Sequence, residues 1–195
     1  MKKFLLKTAL VTILFLAFSG CSSDSDSSCT PIPCYNGGVS NSNCGCDCPQ
    51  GYAGDNCSIE ITPTKITITK IRIKQFPNSA TGGDDLGTNP DLFISLDKAS
   101  TNIYVASSYY ENANGNGSIF YDFNMPSGIF STSTSTIFTL RFWDYDNPPI
   151  NDNDLMTTLY FSPFVSTEGL RFPSSFNIQD SSGQYRAEVF VIYEW

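Results

Sequence analysis

Seven aspartates fall in two short stretches: Asp84, Asp85 and Asp91, then Asp144, Asp146, Asp152 and Asp154. Like charges crowd at a cost unless something cationic lies between them. Calcium suits such side chains, because it takes roughly 6–8 oxygen ligands on adaptable loops. Asp144 and Asp146 are two apart, so in extended backbone their carboxylates point to the same side. Asp, Asn, Gly and Pro are also ordinary turn residues, which would explain one such loop. Two loops carrying D-x5-D and D-x-D spacings favour a metal site. Other chemistries lack their equipment. The chain has no histidine, which removes His-based triads, imidazole bases and His-ligated zinc. A carboxylate enzyme, for example one acting on glycans, would need a second carboxylate set in a separate cleft. The expectation is a protein that is not an enzyme.

The elements that must position these loops read as strands. Ile66 and Ile68, then Ile71 and Ile73, alternate with Thr, Lys and Arg, and the phase slips at Thr69-Lys70 as a β-bulge requires. Further β-branched and aromatic runs follow at Phe93–Leu96, Ile103–Tyr110, Ser118–Phe123, Ile137–Trp143, Leu155–Phe161 and Tyr185–Tyr193. Turn-rich stretches separate them, at Asn78–Asn89, Glu111–Gly117, Asn147–Asn153 and Gln179–Gly183. No stretch carries helical periodicity. Residues 64–195 are therefore expected to form one all-β domain, a sandwich in preference to a barrel, large enough for a single core.

Between these strands, Asp85-Leu86-Gly87-Thr88-Asn89-Pro90-Asp91 and the strand after it resemble the first calcium loop of a C2 domain. Phe142-Trp143-Asp144-Tyr145-Asp146, followed by Asp152-Asn153-Asp154, resembles its third calcium loop. The resemblance spans residues 64–195. It implies an eight-stranded antiparallel β-sandwich with both loops at one end, and Ca2+ held by Asp85, Asp91, Asp144, Asp146 and either Asp152 or Asp154. It also implies a contact surface at the loop tips, where Leu86, Pro148, Pro149 and Ile150 are apolar residues on surface loops.

Six cysteines cluster between Cys29 and Cys57, and Cys21 stands apart. Twenty-nine residues cannot bury a sufficient core, so an exported module of this kind is expected to rely on disulfides. Six cysteines allow 15 connectivities. Cys34-Tyr35-Asn36-Gly37-Gly38 and Cys46-Asp47-Cys48-Pro49-Gln50-Gly51-Tyr52-Ala53-Gly54-Asp55-Asn56-Cys57 resemble the hallmarks of an EGF-like domain. That resemblance implies the pairs Cys29–Cys44, Cys34–Cys46 and Cys48–Cys57. The family's third cysteine normally follows the Gly-Gly directly, whereas here it stands at Cys44. A zinc site is the competing use of so many thiols, disfavoured by export to an oxidising compartment. Residues 58–63 are read as a linker to the sandwich.

Export is written at the other end. Met1–Lys7 is basic, Thr8–Phe18 is largely apolar, and the run is too short to span a bilayer permanently. Phe18-Ser19-Gly20-Cys21 resembles the lipobox of bacterial lipoproteins, which implies a signal peptide over residues 1–20 and lipidation of Cys21. Removing one cysteine to lipid leaves an even set for disulfides. Ser22–Ser28 contains only Ser and Asp, a tether resembling the acidic segment that sends some Bacteroidetes lipoproteins to the cell surface. Without residues 1–20, 8 basic residues face 19 acidic ones, a net charge of −11 that repels nucleic acid. The composite expectation is an outer-membrane or cell-surface lipoprotein acting as a calcium-dependent binding or adhesion module for a protein or glycan partner. The alternative is a structural surface protein in which calcium only stabilises loops. Two weaker signals remain. Lys70, Arg72 and Lys74 line one face of the first strand, an arrangement typical of a solvated or edge-protecting face. Trp143, Tyr145, Tyr109 and Tyr110 have the rings to stack on sugars, although aromatics in sandwiches more often form cross-strand pairs.

Overall fold

The computed structural model of the chain describes residues 30, 32–78, 89–146, 152–167 and 170–195. The expected signal peptide, Cys21, the Ser/Asp tether and Cys29 lie outside the described residues. No described residue is helical. The cysteine module holds two short ladders, β1 (Val39–Ser40) with β2 (Cys46–Asp47) and β3 (Tyr52–Ala53) with β4 (Ile59–Glu60). Its bonds are Cys34–Cys46 and Cys48–Cys57, and Cys44 is disulfide-bonded as well. The Asn36-Gly37 turn takes positive φ at both residues, 52° and 82°. Gly38 serves a different need: a Cβ there would lie 2.6 Å from the Cys57 sulfur. The segment read as linker is partly paired, since β4 lies on β3 and the Ile61 N–H donates to the Gly51 carbonyl at 2.9 Å.

The larger domain runs through β5 (Lys65–Gln75), β6 (Leu92–Lys98), β7 (Thr101–Val105), β8 (Tyr121–Asn124), β9 (Phe130–Ser131), β10 (Phe138–Asp144) and β11 (Asp154–Phe161). A short hairpin, β12 (Ser166–Thr167) and β13 (Leu170–Arg171), precedes β14 (Ser175–Gln179) and β15 (Arg186–Glu194). The strands form two antiparallel sheets, β11-β10-β6-β7 and β14-β15-β5-β8, with β9 extending the β8 edge along the other half of β5. One apolar cluster joins them, with Ile66, Ile68, Ile71, Ile73 and Val189 from one sheet and Ile94, Leu96, Leu140 and Phe142 from the other. The molecule is all-β, and its larger part is a sandwich of four principal strands on four. The bulge expected at Thr69-Lys70 is present. Lys70 pairs with Phe190 and Ile68 with Val191, so Thr69 is the extra residue that restores Ile66 and Ile68 to the core side.

Some elements differ from the sequence reading. The run 103–110 is not one strand: β7 stops at Val105, and the chain returns to the sheet only through the Leu92–Tyr110 bridge. The strand expected from Ser118 begins at Tyr121, leaving Ile119 and Phe120 exposed. The strand β14 has little apolar signature, because Phe176 is its single buried side chain. Its position comes from pairing with β15 along the whole of its length.

Candidate functional site

Sheet register brings the aspartates to one end of the sandwich. Asp91 immediately precedes β6, Asp144 ends β10 and Asp154 opens β11. Asp144 pairs across the sheet with Asp154 on one side and Leu92 on the other. Its side chain is wholly buried, following Phe138, Leu140 and Phe142 on the inward face of β10. A carboxylate at that depth needs compensation. The Asp91 N–H donates to Asp144 Oδ1 at 2.6 Å. Asp91 in turn accepts the Asn112 N–H at 2.8 Å, and its carbonyl accepts the Tyr145 N–H at 3.0 Å. Asp146, 9% exposed, accepts the Asp154 N–H at 3.2 Å and donates its own N–H to Asn153 Oδ1 at 3.1 Å. The loop that carries Asp146 is thereby pinned to the start of β11.

Four of the expected ligands, Asp91, Asp144, Asp146 and Asp154, therefore share one end of the domain. Asp152 is exposed in the adjoining loop. Asp84 and Asp85, and the tip residues Leu86, Pro148, Pro149 and Ile150, lie outside the described residues. Among the described residues, no three acidic or thiol side chains converge closely enough to hold a metal ion. The donor chemistry nevertheless fits a hard cation, since every side chain gathered here offers carboxylate oxygen. A carboxylate has about four lone-pair positions, so a backbone N–H does not exhaust it.

The cations among the described residues sit elsewhere. Lys70 and Arg72 pair with Asp122, Lys74 with Glu188, Lys65 with Glu194, Arg141 with Asp97 and Arg171 with Glu60. Lys98 donates to the Phe130 carbonyl and Arg186 to the Gly183 carbonyl. The basic stripe of β5 is thus neutralised in place. Its Arg72 hydrogen bond holds the Asp122 carboxyl below its ordinary range, and Lys70 adds to the effect. Lys70 also lies 4.0 Å above the Phe190 ring. The stripe is a ladder of ion pairs, which fits the solvated-face reading.

Next to the aspartate end, the outer face of the β11-β10-β6-β7 sheet carries a groove that the sequence did not assign. Its two compartments, about 340 Å³ and 440 Å³, share Phe93, Val105 and Asn153. Phe93 stacks on Trp143 at 6.1 Å between centroids, and Tyr109 stacks on Tyr145 at 4.5 Å. Of the four aromatics singled out as sugar-stacking candidates, Trp143, Tyr145 and Tyr109 meet here. Tyr110 does not: it packs against Tyr121 and Phe123 and donates its hydroxyl to the Asp122 carbonyl.

No family model and no curated protein matches the chain. Solved structures similar to it include a C2 domain of plant Extended Synaptotagmin 1, with 11% identity over 69% of this chain and 97% of that one, at a TM-score of 0.39. A structure described as that of a C2 domain matches with 12% identity over 67% of this chain and 98% of its own, at a TM-score of 0.42. A C2 domain protein from Ramazzottius varieornatus matches with 11% identity over 67% and 88%, at a TM-score of 0.35.

Proposed function

We propose that the chain is a lipid-anchored surface protein whose C2-like sandwich binds its ligand with the help of calcium. One observation carries this reading: Asp91, Asp144, Asp146 and Asp154 share one end of the sandwich, and the Asp144 carboxylate among them is wholly buried. Asp85 would complete the ligand set, with Asp152 or Asp154 in the last position. Calcium would supply the positive charge that lets these loops approach one another and would fix their tips, Leu86 and Pro148 to Ile150, as a contact surface. Backbone N–H groups already hold the Asp91, Asp144 and Asp146 carboxylates, and the cation would draw them together with the remaining ligands.

The module of residues 29–57 is EGF-like in this reading and acts as a spacer. The anchor is the diacylated Cys21, since two chains hold a membrane where one does not. Palmitate labelling that persists in a Cys21→Ser protein would remove the anchor from the proposal.

Thermal melting with calcium and with chelator tests the metal site. Extracellular modules bind calcium at roughly 10⁻⁴–10⁻³ M. A hundredfold excess over that constant stabilises by about 2.7 kcal/mol, an upward shift of roughly 5–10 °C for a domain of this size. Asp144→Asn and Asp146→Asn should each remove most of the shift while slightly raising the melting temperature in chelator. A melt indifferent to both calcium and chelator rules the site out.

A further inference from the structure

The central strand β6 is buried on both of its faces. Leu92, Ile94 and Leu96 point into the core, but the alternate residues Phe93, Ser95 and Asp97, on the outward face, are only 8%, 4% and 6% exposed. A strand on the outer face of a sheet normally shows its alternate residues to water. Here they form the floor of the groove, walled by side chains of β10, β7 and the 106–109 segment.

That floor and its walls are set in advance. The Trp143 indole N–H donates to Ser95 Oγ at 2.9 Å. Arg141 is ion-paired with Asp97, and Asn102 donates to Asp97 Oδ1 at 3.0 Å. Tyr145 is held between Tyr109 and the edge of Phe93. Aromatic faces and fixed planar polar groups thus line one continuous channel. Each compartment falls in the range of small-molecule sites, roughly 300–1,000 Å³.

We infer that this groove binds a neutral saccharide chain. Sugar rings present apolar C–H faces, which suit the Tyr109 and Trp143 rings. Their equatorial rims carry hydroxyls that both donate and accept, which matches the carboxylate, guanidinium and amide groups of Asp97, Arg141 and Asn102. Phosphorylated or uronic ligands suit the groove poorly. Its one cation is already committed to Asp97, and a net charge of −11 beyond residue 20 repels anions. Two joined compartments accommodate successive sugar units. The inference deepens the binding-module proposal by naming the ligand class. The contacts that fix the groove floor involve none of the proposed metal ligands. The lining residues that touch those ligands are Asn153, which accepts the Asp146 N–H, and Tyr145, whose N–H donates to the Asp91 carbonyl.

The test is titration calorimetry of the full chain in detergent against neutral hexasaccharides (cello-, laminari-, xylo-, manno- and maltohexaose). Anionic controls are a hexagalacturonate and phosphatidylserine vesicles, and each titration is run with calcium and with chelator. At least one neutral hexasaccharide should bind and quench tryptophan emission. Tyr109→Ala should weaken it about tenfold, as loss of an aromatic anchor does, while Tyr109→Phe retains binding. Val105→Arg, a change at a residue 53% exposed, should block the channel and leave the melting temperature unchanged. Failure of every neutral sugar, binding that survives both Tyr109→Ala and Val105→Arg, or binding of the anionic controls alone would each overturn the inference. Sugar binding equal in calcium and chelator would uphold it even if the metal site fails. A calcium-shifted melt without sugar binding would do the reverse.

Discussion

The cysteine module and the sandwich solve one problem by opposite means. The module has almost no interior: among its described residues Cys57 is the one wholly buried apolar side chain, and it is part of a disulfide. Residues 64–195 contain no cysteine and bury a continuous cluster that includes Phe138, Leu140 and Phe142 at 0% exposure. A short segment cannot offset its chain entropy by burial, so cross-links restrict its unfolded state instead. A domain of about 130 residues can, and gains nothing from thiols. The two meet at an aromatic joint. Tyr52 of the module packs on the edge of Phe172, which also meets Tyr193 and Trp195, while Glu60 accepts from Arg171 and from Ser166 Oγ.

The sharpest way to break the contrast is to remove each region's own support. Reductant should unfold the module and lower the sandwich melting by no more than the few degrees that loss of the joint costs. Phe142→Ala should cost the sandwich about 3–5 kcal/mol, a large share of a typical domain's 5–15 kcal/mol, with the disulfides intact. Circular dichroism of both samples, with thiol titration, separates the outcomes. A sandwich that collapses on reduction would mean that the two regions fold as one.

The joint itself gives a smaller effect. Gly51 has φ of 87°, and a Cβ there would lie 2.2 Å from the Phe172 ring and 3.0 Å from Trp195. Gly51→Ala must displace that ring or the module, at a cost of about 1–3 kcal/mol. Expected readouts are a red-shifted Trp195 emission and a sandwich melting a few degrees lower, with core and disulfides preserved. An unchanged emission spectrum would show that the joint does not persist in solution.

Legibility in the sequence followed the strength of local patterning. The strand β5 was readable to the bulge, because two pairs of isoleucines change phase around Thr69 and only an extra residue keeps both in the core. The strands β9 and β14 were not, because a pair of residues or a single buried Phe176 leaves no period to detect. Asp144 and Asp146 could be matched with Asp91 through the resemblance to C2 calcium loops, and the antiparallel register of β6 and β10 brings Asp91 and Asp144 to the same end. The groove was half visible. Trp143, Tyr145 and Tyr109 stood out by type, but Ser95, Asp97 and Asn102 are inconspicuous until β6, β7 and β10 are laid side by side. Tyr110 shows the same limit from the other direction. It is adjacent to Tyr109 in sequence, yet it packs against Tyr121 and Phe123 and not in the groove.

The smallest expected effect concerns the outer face of the other sheet, where charge is balanced without a core or a cross-link. Asp122 accepts from Arg72 at 2.6 and 2.9 Å and from Lys70 at 3.3 Å. The Arg72 hydrogen bonds lower the Asp122 carboxyl from its ordinary 3.8, with Lys70 contributing after them. A carboxyl lowered by folding adds stability above its unfolded value, and that contribution fades as pH falls through the folded value. Asp122→Asn should therefore lower the melting temperature slightly at pH 7, by the modest amount an exposed pair supports. The gap between wild type and variant should close as pH is taken below 3.8. Added salt should narrow it at pH 7 as well, since a side chain 36% exposed is screened. A gap that instead widened toward acid would mean that Asp122 is held by something other than the two cations beside it.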